Sequence, residues 1–157
     1  MELDDEHSSP HPPSQRLWAT PSWLLNQVAS RANRLVAEAA DRPGMRLRYA
    51  ILAGLDEFGP ISQAELSRRL GVDRGDLVKA LNELEAEGLA ARSADPSDRR
   101  RNSLQLTPEG ETALIGLDAL VGSAQTRLLT PLSSDEREQL NSLLKRLLEH
   151  HDGHHRS

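Results

Sequence analysis

Three arginines in a row, Arg99, Arg100 and Arg101, follow Asp95 and Asp98 in the stretch DPSDRRRN over residues 95–102. A guanidinium is permanently charged and forks onto phosphate oxygens or a base edge. The chain as a whole carries a formal net charge of -5, so the clustering needs a reason. A second group stands upstream, in VDRGDLVKAL over residues 72–81. If that segment is a helix with Leu77, Ala80, Leu81 and Leu84 buried, its opposite face near the start carries Arg74, Gly75, Asp76, Val78 and Lys79. The DNA major groove is about 12 Å wide, admits one helix, and meets its N-terminal residues with base edges. Arg74 can fork onto guanine, Lys79 suits a phosphate or a guanine edge, and Val78 a thymine methyl. Asp76 opposes phosphate; it either accepts from a cytosine amino group or only caps the helix.

Composition alone does not identify this chemistry. Across residues 62–101 eight basic and eight acidic side chains cancel. A run of arginines by itself is also more often a solvated loop than a site. Its position is what singles it out. The run holds no acid between 99 and 101, and it falls where a hairpin tip is expected, just after two short helices. A minor groove attracts arginine, more so where it is narrow. Asp95, Pro96 and Ser97 are turn-forming residues.

The elements that must position these residues are legible from caps and periodicity. Residues 1–16 are acidic, Ser/Pro-rich and poor in apolar side chains, and read as a disordered tail. Structure is expected to begin near Thr20-Pro21, a cap followed by a first-turn proline. Leu24, Leu25, Val28, Ala32, Leu35, Val36 and Ala39 then recur at helical spacing. A second helix spans Leu47 to Gly59. Ser62 and Glu65 have capping-box spacing, with Ala64, Leu66 and Leu70 as the buried side. Asp73 and Asp76 repeat that spacing with Asp in place of Glu. Leu104 and Leu106 alternate with Ser103 and Gln105, a half-buried strand. Thr107-Pro108 opens a long helix marked by Leu114, Leu117, Val121, Ala124 and Leu128. Ser133 and Glu136 open the last, with Leu140, Leu143, Leu144, Leu147 and Leu148.

The order is helix, helix, helix–turn–helix, two-stranded hairpin, helix, helix. The expected fold is therefore mainly α with a small β-wing: a winged helix-turn-helix flanked by N- and C-terminal dimerisation helices. The domain spans residues 17–150, with the helix–turn–helix at 62–88 and the wing at 89–106. Residues 20–40 and 108–149 contribute the dimerisation helices, and 151–157 form a polar His-rich tail. The outer stripes are too wide to bury on so small a centre, and pairing with a second copy solves this economically.

Other classes are excluded or weakened. Cysteine is absent, so disulfides, thiol sensing and thiolate ligation are ruled out. No apolar run approaches the roughly 18 residues that span a bilayer. A cytoplasmic protein with no membrane contact is expected. Aromatics are only 3% of the chain, which favours packed Leu/Ala helices over a sandwich or barrel. No nucleophile–base pair or phosphate loop is present, so neither an enzyme nor a cofactor is expected. His150, His151, His154 and His155 have spacing that could hold a metal, but without acidic or thiolate partners they read as a solvated tail.

From Ile61 to Glu111 the sequence closely resembles the central region of MarR-family transcriptional regulators. The most specific part is the wing signature: Asp98, Arg99, Arg100 and Arg101, then Leu106, Thr107 and Gly110. The resemblance extends over about Pro21 to His150, with the outer helices matching by pattern alone. It implies a homodimer on a pseudo-palindromic double-stranded site, acting as a repressor. It implies that Arg100 enters the minor groove, that Asp98 orients it by an ion pair, and that Ser62 meets phosphate. Arg99 and Arg101 are then phosphate contacts or solvated neighbours. Gly75-Asp76 departs from the hydroxyl residues frequent in relatives, so an unusual sequence preference is expected. Many relatives are released from DNA by small, often phenolic, anions. Trp23, Arg46, Arg48 and Tyr49 have the chemistry for such a pocket; the alternative places the two aromatics in the core and the arginines in solvent. The competing function is a winged-helix module that binds protein instead of DNA.

Overall fold

The computed structural model describes residues 14–94 and 102–152. The chain runs α1 (Gln15–Trp18), α2 (Pro21–Ala40), α3 (Met45–Phe58), β1 (Ile61–Ser62), α4 (Gln63–Leu70), α5 (Arg74–Ala86), β2 (Ala90–Ala94), β3 (Asn102–Leu106), α6 (Pro108–Leu128) and α7 (Ser134–Asp152). The mainly helical winged fold expected from the sequence is thus observed. None of the described helices is long and apolar enough to cross a membrane.

Local chemistry explains most boundaries. Ser62 Oγ accepts the Glu65 N–H at 3.2 Å and opens α4. Asp73 Oδ1 accepts from the N–H of Gly75 at 2.7 Å and of Asp76 at 3.4 Å, opening α5. Thr107 Oγ1 accepts the Gly110 N–H at 3.0 Å and donates to the Gly88 carbonyl at 2.7 Å. One hydroxyl therefore starts α6 and ties it to the end of the helix–turn–helix. Among the described residues the reciprocal box forms fully only at α7, where Glu136 accepts the Ser133 N–H and Ser133 accepts the Glu136 N–H.

Several expectations need correction. A short helix, α1, already stands at Gln15–Trp18, before Thr20, and Thr20 donates its hydroxyl to the Arg16 carbonyl at 2.8 Å instead of capping α2 with its side chain. α3 starts at Met45, two positions earlier than Leu47. Ala64 is exposed, and Ser67 takes the buried place, its hydroxyl donating to the Val72 carbonyl at 2.7 Å. The sheet has three strands in the order β1-β3-β2, all pairs antiparallel. β1 pairs Ile61 with Leu104 and Ser62 with Ser103. A strand of two residues has no alternation to read, and its pairing is decided by β3.

The main core joins α3, α4, α5, the sheet and the start of α6. Ile51, Leu52, Leu55, Leu66, Leu77, Leu81, Leu84 and Leu104 are its fully buried side chains. A smaller cluster of Val36, Met45 and Ala124 binds α2 to α3 and α6. The C-terminal half of α2 is thus covered within the chain. Leu17, Trp18, Leu25 and Val28 are not, and neither are Leu143, Leu147 and Leu148 on α7. Among the described residues α7 buries no side chain fully and has no extensive packing partner in its own chain. Its direction is nevertheless set: Arg137 Nε donates to the carbonyls of Leu129 and Leu132 at 3.1 and 3.0 Å.

The close approach of α6 to Leu89, just before β2, explains the glycine of the wing signature. A Cβ on Gly110 would overlap the Leu89 carbonyl oxygen and lie 2.7 Å from Leu106 Cδ1. Backbone cannot yield as a side-chain tip can. Gly110→Ala is expected to cost about 1–3 kcal/mol or more by overpacking, read as a lowered midpoint in thermal melting. An unchanged midpoint would contradict this packing.

Candidate nucleic-acid interface

α5 presents two contrasting faces. Leu77, Leu81 and Leu84 are 0%, 0% and 1% exposed and anchor it in the core. Arg74, Gly75, Asp76 and Lys79 are exposed, and Val78 is half-buried. The structure therefore brings the upstream group onto one outward surface at the first turns of the helix. Arg74 and Lys79 have no ion-pair partner among the described residues. Their charges are uncommitted, as groups awaiting a polyanion would be.

Asp76 does not cap α5. Asp73 does, and the Asp76 carboxylate makes no hydrogen bond among the described residues. It sits in the first turn, where a negative charge favours the helix dipole. The capping-box reading of Asp73 and Asp76 therefore holds in one direction only. The same is true at Ser62, where Glu65 turns away to pair with Arg68 and, at 2.8 Å, with Arg69. Arg69 also lies 4.5 Å above the Phe58 ring. Ser62 itself is half-buried at the α4 start, and its hydroxyl hydrogen remains available to an acceptor.

The wing strands register as Ala90↔Leu106 through Ala94↔Asn102. Residues 95–101, with Asp98, Arg99, Arg100 and Arg101, lie outside the described residues; they connect the paired ends Ala94 and Asn102. A residue that sequence reading missed braces the hairpin. Arg92 on β2 pairs through Nε with Glu85 at 3.0 Å and donates from Nη2 to Asn82 at 3.2 Å, both on α5. The wing and the outward helix thus share a joint. No helical spacing links Arg92 to these partners, so no local signal marked it.

The four residues proposed for an effector pocket have different surroundings. Trp23 is half-buried on α2, and Arg46 is exposed on α3. Tyr49 packs against the core and donates to Asp118 Oδ1 at 2.9 Å, linking α3 to α6. That hydrogen bond, followed by burial, raises the Tyr49 phenol above its ordinary pKa. Arg48 lines a cavity of about 460 Å³ between the start of α3 and α5, which the other three do not line. Arg42, Leu47, Asp76, Lys79 and Glu83 line it too. At its edge Glu87, the C-cap of α5, accepts from Arg42 at 3.0 Å and from Arg48 at 2.9 Å, with a second contact to Arg48 through its other oxygen. The Arg48 hydrogen bond holds the Glu87 carboxyl below the usual carboxylate range, against an opposing effect of burial.

Comparison with known proteins agrees with this architecture. The model of the MarR family matches residues 41–101. A Thauera aromatica protein named "Putative transcriptional regulatory protein for hcr operon" is 38% identical over 105 residues, 67% of this chain. The matching part spans 61% of that relative's length. A Pseudomonas aeruginosa protein described as a probable transcriptional regulator superposes with a TM-score of 0.77 at 35% identity, covering 84% of this chain and 99% of the other. The repressor CouR, bound to a 23-mer DNA duplex, superposes with a TM-score of 0.79 at 27% identity, covering 88% and 99%. CouR of Rhodococcus jostii RHA1 bound to p-coumaroyl-CoA gives 0.72 at 27% identity, covering 85% and 95%. The helix–turn–helix, the three-stranded wing and these relatives lead to one conclusion: the chain belongs to the MarR family, a family of transcriptional regulators and not of enzymes.

Proposed function

We propose that the protein is a homodimeric repressor that binds a pseudo-palindromic site on double-stranded DNA and is released by a small ligand. The observation that carries this reading is the outward face of α5. Arg74 and Lys79 stand there without an ion-pair partner among the described residues, opposite a face that is wholly buried. In the major groove Arg74 forks onto guanine, Lys79 reaches a phosphate or guanine edge, and Val78 and Gly75 lie against bases. Ser62 donates to a phosphate at the start of α4, where free N–H groups favour anions. Arg100 enters the minor groove, held by Asp98, with Arg99 and Arg101 beside the backbone. Arg92 keeps the wing at a fixed distance from α5. CouR bound to a DNA duplex and to a CoA ester is the precedent for both kinds of partner.

The dimer rests on the exposed leucines of α7 and the exposed apolar residues Leu25 and Val28 of α2. In this division, residues 62–88 and 89–106 read DNA, and 20–40 and 108–149 hold the subunits together. A two-fold dimer places its two recognition helices about one turn of DNA apart, roughly 10 bp. Selecting bound fragments from genomic DNA with the purified protein tests this. The expected result is an enriched inverted repeat with that spacing. Fragments that lack any common repeat would overturn it.

A further inference from the structure

Asp76 is the residue of the outward face to which the proposed function gives no task. It is exposed in the first turn of α5, between Gly75 and the buried Leu77. Asp73 caps the helix, and the Asp76 carboxylate makes no hydrogen bond or ion pair among the described residues. Lys79 lies three positions on, a spacing at which helical side chains can pair. No ion pair forms between them. A carboxylate turned toward a polyanion lowers affinity unless it meets a donor. The helix dipole returns only about 0.3–1 kcal/mol at an exposed position.

Gly75 points the same way. Its φ is not in the left-handed region, so the backbone does not call for glycine. A Cβ there would meet only Asp73 Oδ1, at 3.0 Å, the tip of an exposed side chain that can move. Packing does not call for glycine either. What its bare backbone provides is room for another surface to come close. That is the approach a side chain as short as aspartate needs in order to reach a base edge.

We propose that Asp76 is a specificity-determining residue that accepts a hydrogen bond from the N4 amino group of a cytosine in each half-site. In the major groove guanine offers the acceptors O6 and N7, and thymine the acceptor O4; all three repel a carboxylate. Adenine has an amino group at N6 but sets the acceptor N7 beside it. Cytosine presents a donor with no acceptor next to it on its own edge. Asp76 therefore acts in two directions. It gains a charge-assisted hydrogen bond at cytosine, and it lowers affinity for every sequence that lacks the donor. Arg74 and Lys79 supply attraction to any duplex, and Asp76 supplies the penalty for a wrong one. This inference rests on the duplex-binding function proposed above.

The test compares the full chain with Asp76→Asn, Asp76→Ala and Glu83→Gln. Glu83 lies two turns further along the same side of α5 and lines the same cavity as Asp76. It is exposed, and its side chain has no partner among the described residues, so its loss reports charge alone. Affinities are measured on the operator selected by the wild type, on operators substituted base by base, and on an unrelated duplex. One position per half-site should prefer cytosine in the wild type, other bases binding about tenfold more weakly. Asp76→Asn should move that preference to adenine, whose N6 and N7 fit an amide. Asp76→Ala should bind the operator more weakly and the unrelated duplex more tightly, two changes of opposite sign. Glu83→Gln should tighten both alike and leave base preference unchanged. Thermal midpoints report folding, and Asp76→Asn, which keeps the side chain's shape, decides the matter if the alanine variant is unstable. A base preference that Asp76→Asn leaves unchanged overturns the proposal. So does equal tightening of operator and unrelated duplex by Asp76→Ala. Absence of duplex binding by the wild type overturns the proposed function, and this inference with it.

Discussion

Leu143→Glu combined with Leu147→Glu is expected to turn the proposed dimer into a monomer, with duplex affinity falling to that of a single half-site. The two leucines are 46% and 51% exposed within the chain and lie one helical turn apart on α7, with Leu148 at 65% beside them. Burying a leucine gains about 1.5–3 kcal/mol relative to leaving it in water. A two-fold interface counts each substitution twice, and it also places carboxylates in an apolar contact, where unpaired charge is expensive. The loss therefore exceeds what a dimer of ordinary stability tolerates. Folding of the protomer should survive, because α7 contributes no fully buried side chain to its own chain's core. Sedimentation equilibrium and the thermal midpoint separate the two outcomes. A variant that stays dimeric would place the interface elsewhere.

Arg74→Ala should weaken binding to the selected operator by about 1–3 kcal/mol per half-site, the range for a bidentate base contact. The loss should be confined to sites that keep the preferred base pair, so discrimination at one position per half-site disappears. Lys79→Ala gives a contrast if it meets phosphate: affinity falls similarly on every sequence, and the salt dependence becomes shallower. Neither change should alter stability, because both side chains are exposed and have no partner among the described residues. Competition binding against operators substituted base by base measures the difference. Uniform weakening by Arg74→Ala would move that residue from base to backbone.

How much of this was written locally in the sequence differs by element. The outward face of α5 was legible, because Leu77, Leu81 and Leu84 fix which side is buried. So were the starts of α4, α5, α6 and α7, where Ser62, Asp73, Thr107 and Ser133 act on N–H groups two or three residues away. Contacts between distant residues were not. β1 exists only because β3 supplies Ser103 and Leu104 to pair with. Gly110 was visible as a signature residue, but its reason, the Leu89 carbonyl pressed against it, lies across a hairpin. Arg92 and Glu87 looked like ordinary surface charges. Their roles depend on partners that folding delivers from β2 to α5, and from α3 to the end of α5. The effector residues divided for the same reason. Aromatic and cationic types suit such a site, but type does not say which helix face they occupy, and Tyr49 is committed to Asp118.

The central claim is that α5 and the wing together bind duplex DNA. The most direct test is duplex affinity as a function of salt for the wild-type chain and for Arg100→Ala. Counterion release makes log affinity fall linearly with log salt, with a slope of about −0.9 for each phosphate neutralised. A steep slope is expected for the wild type, and markedly weaker duplex binding for Arg100→Ala. Affinity that is flat with salt, or that is untouched by loss of Arg100, would contradict it.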